Sequence, residues 1–267
     1  MSRVTPDPLR VGLVGCGRAA ERIYLPAFGR VPGAGLAAVS DPNTGRRALV
    51  ARAAGAPDFA DVEEMLTRCE LDAVVVAAPP EVHAPIAEAA LRHSLAVLVE
   101  KPLAPDLVGA RRIADAAAEA GRPVMVGFNR RRLPAVVRLR ELLEPVDRSA
   151  LEFDSEFHAL PAAWDPVAGV RDPIDDLASH HLDLFQFLAG SEIAWVSAER
   201  RGQAIELVVR LESGANGRCV VSQGQANRER LAVSVRDEAE GRGGAPDSAG
   251  ADSRWWLRPS SDRLGPA

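Results

Sequence analysis

The chain has 267 residues, 47% of them hydrophobic, with 32 basic and 37 acidic side chains and a net charge of -5. That length exceeds one ordinary compact unit and favours two domains, while charges of both signs lie interspersed and leave no basic footprint for a nucleic-acid backbone or an anionic membrane. No run approaches the roughly 20 apolar residues of a membrane span, and MSRVTPDPLR lacks the apolar segment of a secretory signal; a cytoplasmic location is the resulting expectation. Cys16, Cys69 and Cys219 are odd in number and show no paired spacing, which points to reduced structural thiols and away from a disulfide framework or a metal site.

In chain order, RVGLVG, GLAAVSD, DAVVVAAP, LAVLVE and PVMVGF read as buried strands. AAERIYLPAF, TGRRALVARAA, VEEMLTR, PIAEAALRH and VGARRIADAAAEAG lie between them with helical character. That alternation predicts an α/β domain over residues 1–129, a doubly wound parallel sheet covered by helices. From residue 130 the texture changes. A helix at PAVVRLRELL leads to a strand in SALEFDSEFHAL, a proline-containing loop and a helix from about Asp176 to Leu188. Strand-like runs follow at IAWVSAERR, AIELVVRLES, GRCVVSQGQA and RLAVSVRD. Short turns between them predict a mainly antiparallel open sheet in an α+β domain, residues 130–267. The stretch 238–254 is poor in large apolar residues and reads as flexible, with Trp255 and Trp256 docking back beyond it.

VGLVGCGRAAERI places Gly15, Gly17 and Ala20 at the three positions of a dinucleotide-binding turn. The first glycine makes the tight turn, the second lets backbone approach a pyrophosphate, and the third position needs a small residue for helix packing. Arg18, Ala19 and Ala20 open the helix whose N–H groups would face the phosphates. Asp41, in SDP at the end of the second strand, stands where a carboxylate accepts from the ribose hydroxyls and repels a 2′-phosphate. This favours NAD; Arg46 and Arg47 are near enough in sequence to keep NADP open, and a helix cap or turn residue is the bland reading of Asp41.

VLVEKPL ends a buried strand with Glu100, Lys101 and Pro102. In an open parallel sheet the carboxyl ends of the strands face the ligand, so Glu100 and Lys101 emerge at the cleft, and the proline fixes the turn, with a cis peptide bond as one way of doing so. In the second domain, IDDLASHHLDLF offers Asp176 and His180 four residues apart, neighbours on one helical face, a spacing suited to acid/base work. Asp175 and His181 compete for that register, and Arg130, His158 and Trp164 are weaker candidates for a substrate side.

The EKP after a strand, with AAPPEVHAPIAEAALRHSLAVLVEKPLA around it and VGFNRRRLPAVVRLRELL after it, resembles the Gfo/Idh/MocA family of oxidoreductases. The likeness is close from Val11 to about Leu143 and looser to about Ala226. It implies an N-terminal Rossmann domain, a C-terminal domain whose open sheet often mediates oligomerisation, and hydride transfer between a nicotinamide and a carbon bearing oxygen or nitrogen. It further implies that Lys101 is the active-site lysine, that Ala78, Pro79, Pro80 and His83 flank the cofactor beside Glu100, and that Asp176 and His180 complete the catalytic set, with Asp183 at a further acidic position. The expected activity is oxidation of a secondary alcohol, or reduction of the ketone, on a sugar, cyclitol or other polyhydroxylated molecule. The rivals are a keto-sugar or imine reductase and a cofactor-binding sensor or partner protein without turnover. Arg171 to Ile174 depart from the glycine-rich segment of many relatives, and the Gly/Ala/Asp-rich tail stands where the family's last sheet and helix elements are expected.

Overall fold

The computed structural model describes residues 7–160, 172–223, 227–236, 255–258 and 261–266. They belong to two compact units, Met1–Gly127 and Phe128–Ala267, a division two residues before the change of texture at Asn129.

The first unit holds six parallel strands: β1 (Leu9–Val14), β2 (Ala34–Ser40), β3 (Asp58–Phe59), β4 (Ala73–Val76), β5 (Ala96–Val99) and β6 (Val124–Val126). Their order across the sheet is β3-β2-β1-β4-β5-β6, the doubly wound arrangement that reverses direction beside β1 and opens a ligand crevice at the carboxyl edge. Register makes that edge level. Val14 pairs with Ser40 and with Val76, Val76 with Val99, and Val99 with Val126. Gly15, Asp41, Ala77, Glu100 and Gly127 are therefore delivered to one rim. The two-residue β3 is an addition to the five strands expected from sequence, too short to display a periodicity.

A π turn (Ala20–Tyr24) runs into α1 (Leu25–Phe28), followed along the chain by α2 (Thr44–Ala54), α3 (Val62–Arg68), α4 (His83–Arg92) and α5 (Leu107–Ala120). Asn43, Asp61 and Asp106 cap α2, α3 and α5 by accepting the N–H three residues on, at 3.0, 2.9 and 2.8 Å. Leu13, Val39 and Val75 pack one sheet face with Tyr24 and Val50, while Val14, Val74 and Val99 pack the other with Leu91 and Ile113. Coverage on both faces is why these strands read as continuous apolar runs.

The second unit contains α6 (Pro134–Leu142), β7 (Leu151–Ala159), a second π turn (Ile174–Ala178) continuing into α7 (Ser179–Ala189), then β8 (Ile193–Arg201), β9 (Ala204–Leu211), β10 (Asn216–Gln223), β11 (Arg228–Val235), β12 (Trp255–Arg258) and β13 (Ser261–Pro266). They form a seven-stranded sheet, β13-β12-β11-β7-β10-β9-β8. The mainly antiparallel expectation holds, with one exception: β7 and β10 run parallel, because the chain leaves β7, passes through α7, re-enters the sheet at its edge as β8, and steps back through antiparallel β9 to β10 beside β7. A long crossover is what parallel neighbours require.

Ile205, Leu207 and Val209 of β9, Cys219 and Val221 of β10, and Phe153 of β7 face Leu139, Leu184, Phe185 and Leu188 of the helices. The intervening Glu152, Asp154, Glu206, Arg218 and Arg230 form ion-paired ladders on the other face, so these strands alternate where those of the first unit do not. β12 and β13, which follow the tail, are two sheet strands beyond those expected from sequence. Trp255 and Trp256 lie on a strand paired with Val233 and Ala232. The stretch expected to be flexible, 238–254, and Trp164 lie outside the described residues. Among the described residues, no helix is long and apolar enough to cross a membrane.

Candidate active site

Gly15 turns the chain at φ +93°, and a Cβ there would lie 2.6 Å from the backbone of Ala77 and Ala78; only glycine fits. At Gly17 the space a Cβ would fill is open, as needed where a pyrophosphate approaches backbone. Arg18 and Ala19 follow at the helix start, and Ala20 is wholly buried beneath them. Asp41, buried at the end of β2, accepts from the N–H of Cys16 at 2.8 Å through one oxygen and from that of Asn43 at 2.7 Å through the other. It is thus tied to the glycine turn itself, and each oxygen retains a lone pair for a further donor. Arg47 donates to Asp58 at 2.8 Å and to the carbonyls of Asp41 and Pro42, which engages one of the two arginines that kept NADP open. Burial, reinforced by the Asp41 charge, pushes the Cys16 thiol up to about 12, so it stays a thiol beside the turn.

The Lys101–Pro102 peptide is cis. Both neighbours of Lys101 are anchored: Glu100 Oε1 accepts from the Tyr24 hydroxyl at 2.7 Å, and the Pro102 carbonyl lies 3.0 Å from His83 Nδ1. His83 is wholly buried, with Nε2 2.8 Å from the Ala78 carbonyl. It ties the loop Ala78–Pro80 to the lysine turn from inside, and Pro80 is buried with it while Pro79 is exposed. The first unit thereby gathers Gly15, Gly17, Asp41, Ala78, His83, Glu100 and Lys101 around one rim. A signal that spacing does not reveal singles out Lys101: it is the only lysine in the chain, the remaining 31 of the 32 basic residues being arginine. Arginine carries a fixed charge on a planar fork, whereas lysine offers a compact ammonium that exchanges protons.

In the second unit, Asp176 lies in the π turn and His180 in the first turn of α7. π turns inside helices recur at functional positions. Gln223, at the end of β10, points its amide toward Asp176 Oδ2 at 3.4 Å. His180 is buried with its ring edge-on to Phe128, centroids 6.3 Å apart. The competing His181 faces the core. Its Nε2 lies 3.1 Å from Glu229 Oε1, its ring stacks on Phe157, and Cys219 Sγ is 3.9 Å from Nδ1. Arg130 grips Glu229 with two N–H groups and lies over the Phe157 ring, 4.8 Å from its centroid. Burial would raise the Glu229 carboxyl, but the hydrogen bonds from His181 and Arg130 outweigh it and hold the group at about 2. Asp183 is paired through both oxygens with Arg131, and burial raises its carboxyl against that pull. His158 meets Ser222 at 2.6 Å. Arg130, read from sequence as a weak substrate-side candidate, is thus engaged by Glu229.

By strand order, glycine turn and capped acidic strand end, the first unit is a Rossmann dinucleotide-binding unit. Residues 9–128 match the model of the Gfo/Idh/MocA family, described as an oxidoreductase family with an NAD-binding Rossmann fold. The inositol 2-dehydrogenase of Leifsonia xyli subsp. xyli is 33% identical over 222 residues, 79% of this chain and 65% of that protein. That of Corynebacterium glutamicum is 32% identical over 193 residues, 72% of this chain and 57% of that protein. The chain therefore spans less than two thirds of the length of these relatives. In fold it is similar to the WlbA dehydrogenase from Bordetella pertussis, solved in complex with NADH and UDP-GlcNAcA, with a TM-score of 0.77 at 24% identity over 88% of this chain and 73% of that one.

Proposed function

We propose that this protein is an NAD-dependent dehydrogenase that interconverts a secondary alcohol and its ketone on a cyclitol or sugar. The observation that carries the reading is the chain's single lysine, set beside Glu100 at the carboxyl end of β5, on the rim that also holds Gly15 and Asp41. A nicotinamide held there would supply the hydride acceptor for oxidation and the hydride donor for reduction. Gly15, Gly17 and the helix start after them would hold its pyrophosphate, and Asp41 the adenine-side ribose, where a carboxylate disfavours a 2′-phosphate.

Lys101 hydrogen-bonds the substrate oxygen and neutralises the negative charge that develops there. His180 takes the hydroxyl proton in oxidation and returns it in reduction, and Asp176 orients the imidazole. His181 stays outside this chemistry because Glu229 and Phe157 hold it. The relatives named as inositol 2-dehydrogenases support a cyclitol as the first substrate to try. A second copy of the chain would pack through the outer face of the seven-stranded sheet.

Following NADH formation across a panel of cyclitols and sugars tests the activity. On the substrate so found, Lys101→Ala and His180→Ala should each lower kcat by about 10² to 10⁴, with NADH affinity kept. Near-normal turnover in either variant would remove that residue from its role, and a chain that binds NADH but turns over no member of the panel would favour a sensor.

A further inference from the structure

Tyr24 is the only tyrosine in the chain. It lies, buried, in the π turn that follows the glycine turn. Its hydroxyl donates to Glu100 Oε1 at 2.7 Å, and the other carboxylate oxygen, Oε2, accepts the backbone N–H of Lys101 at 3.1 Å. The carboxylate also leans on Gly127, where a Cβ would come within 3.0 Å of Oε2. Glu100 is therefore held at both oxygens and from below, and a hydrogen bond to an ionised carboxylate is stronger than one between neutral groups. Burial, helped by the adjacent Glu100 charge, raises the Tyr24 phenol far above its ordinary range. It is a permanent donor and no proton source, and the hydride chemistry leaves it without a direct task.

We propose that Tyr24 is a positioning residue for Lys101. By holding Glu100 it makes the helix after the glycine turn and the turn carrying the lysine one mechanical piece, so that dinucleotide bound at the first is registered at the second. The inference rests on reading Lys101 as the group that meets the substrate oxygen, yet the link itself can be measured without any substrate. Reductive methylation with isotopically labelled formaldehyde places reporter methyls on Lys101 and on the N-terminal α-amine of the protein used, whose resonances are separable by their different amine chemistry.

In the unsubstituted protein, NADH should displace the Lys101 methyl resonance. Tyr24→Phe should shift or broaden that resonance before NADH is added and reduce the NADH-induced displacement by about half or more, with NADH affinity altered less than about twofold. Turnover should fall about tenfold in Tyr24→Phe and no further when the change is added to Lys101→Ala, since two residues acting through one group are not additive. Should Tyr24→Phe lose its far-ultraviolet circular dichroism, Glu100→Gln, nearly equal in shape, takes its place in the same spectra. A Lys101 resonance and NADH response identical to those of the unsubstituted protein would overturn the link, as would a full additional loss of turnover on the Lys101→Ala background. Absence of any turnover in the unsubstituted protein would instead overturn the proposed activity and leave the resonance result standing.

Discussion

The two units hold their candidate site residues with different materials. In the first, the rim is made of backbone: a glycine at φ +93°, strand ends in level register, and carboxylates and an imidazole that mostly meet main-chain N–H and carbonyl groups. In the second, the helix carrying Asp176 and His180 is fixed by side chains meeting side chains, chiefly Arg130 with Glu229 and His181, and Arg131 with Asp183. A backbone site resists pH and tolerates no added volume. A side-chain site accepts changes of shape but depends on every charge in it.

The largest effect expected from that contrast is at Gly15. Gly15→Ala sets a Cβ 2.6 Å from the Ala77 and Ala78 backbone at a dihedral that L-residues avoid, and should cost about 3–5 kcal/mol together with NADH binding. Denaturant unfolding and NADH titration check both. A variant that folds and binds normally would show that the rim can give way. Next in size is Glu229→Gln, which leaves half-buried Arg130 and buried His181 facing a neutral amide and should cost about 2–4 kcal/mol.

Glu229 also carries a pH signature. Its folded carboxyl is held at about 2 against an ordinary 4.5, so its stabilisation is complete above the ordinary value and is lost as pH falls toward the folded one. Asp183, raised by burial, acts with the opposite sign. The difference between the Glu229→Gln and unsubstituted proteins isolates Glu229, and it should shrink between about pH 5 and pH 3. A difference independent of pH would mean that the ion pair is not what fixes α7.

The contrast also governs how much could be read in the sequence. The glycine turn, Asp41, the EKP turn and nearly every helix and strand were legible because each follows from residues close in sequence, where period and capping chemistry act. Asp176 and His180 were legible as an i, i+4 pair. The Glu229 network was not: RER at 228–230 looks like surface charge, and it becomes a largely buried ion pair only because β11 lies beside β7 and brings position 229 to the inner face. The parallel β7–β10 pair was hidden for the same reason, since local turns say nothing of where a crossover returns. Tyr24 and Lys101 did leave a mark in sequence, each being the only residue of its type. That signal lies in composition, where motif spacing does not look.

The smallest expected effect sharpens the cofactor side. From sequence, Arg46 and Arg47 kept NADP open by standing five and six residues after Asp41. In the fold, Arg47 is turned to Asp58 and to the carbonyls of Asp41 and Pro42, with Asp58 partly exposed. An ion pair so placed is worth little, so Arg47→Ala should cost about 0.5–1 kcal/mol of stability. Because the guanidinium is already engaged, the preference for NADH over NADPH, read by fluorescence titration of each, should stay within about twofold of the unsubstituted protein. A selective loss of NADPH binding would show that Arg47 leaves Asp58 when a 2′-phosphate is offered, and would make the capped end of β2 a switchable site instead of the fixed one its hydrogen bonds describe.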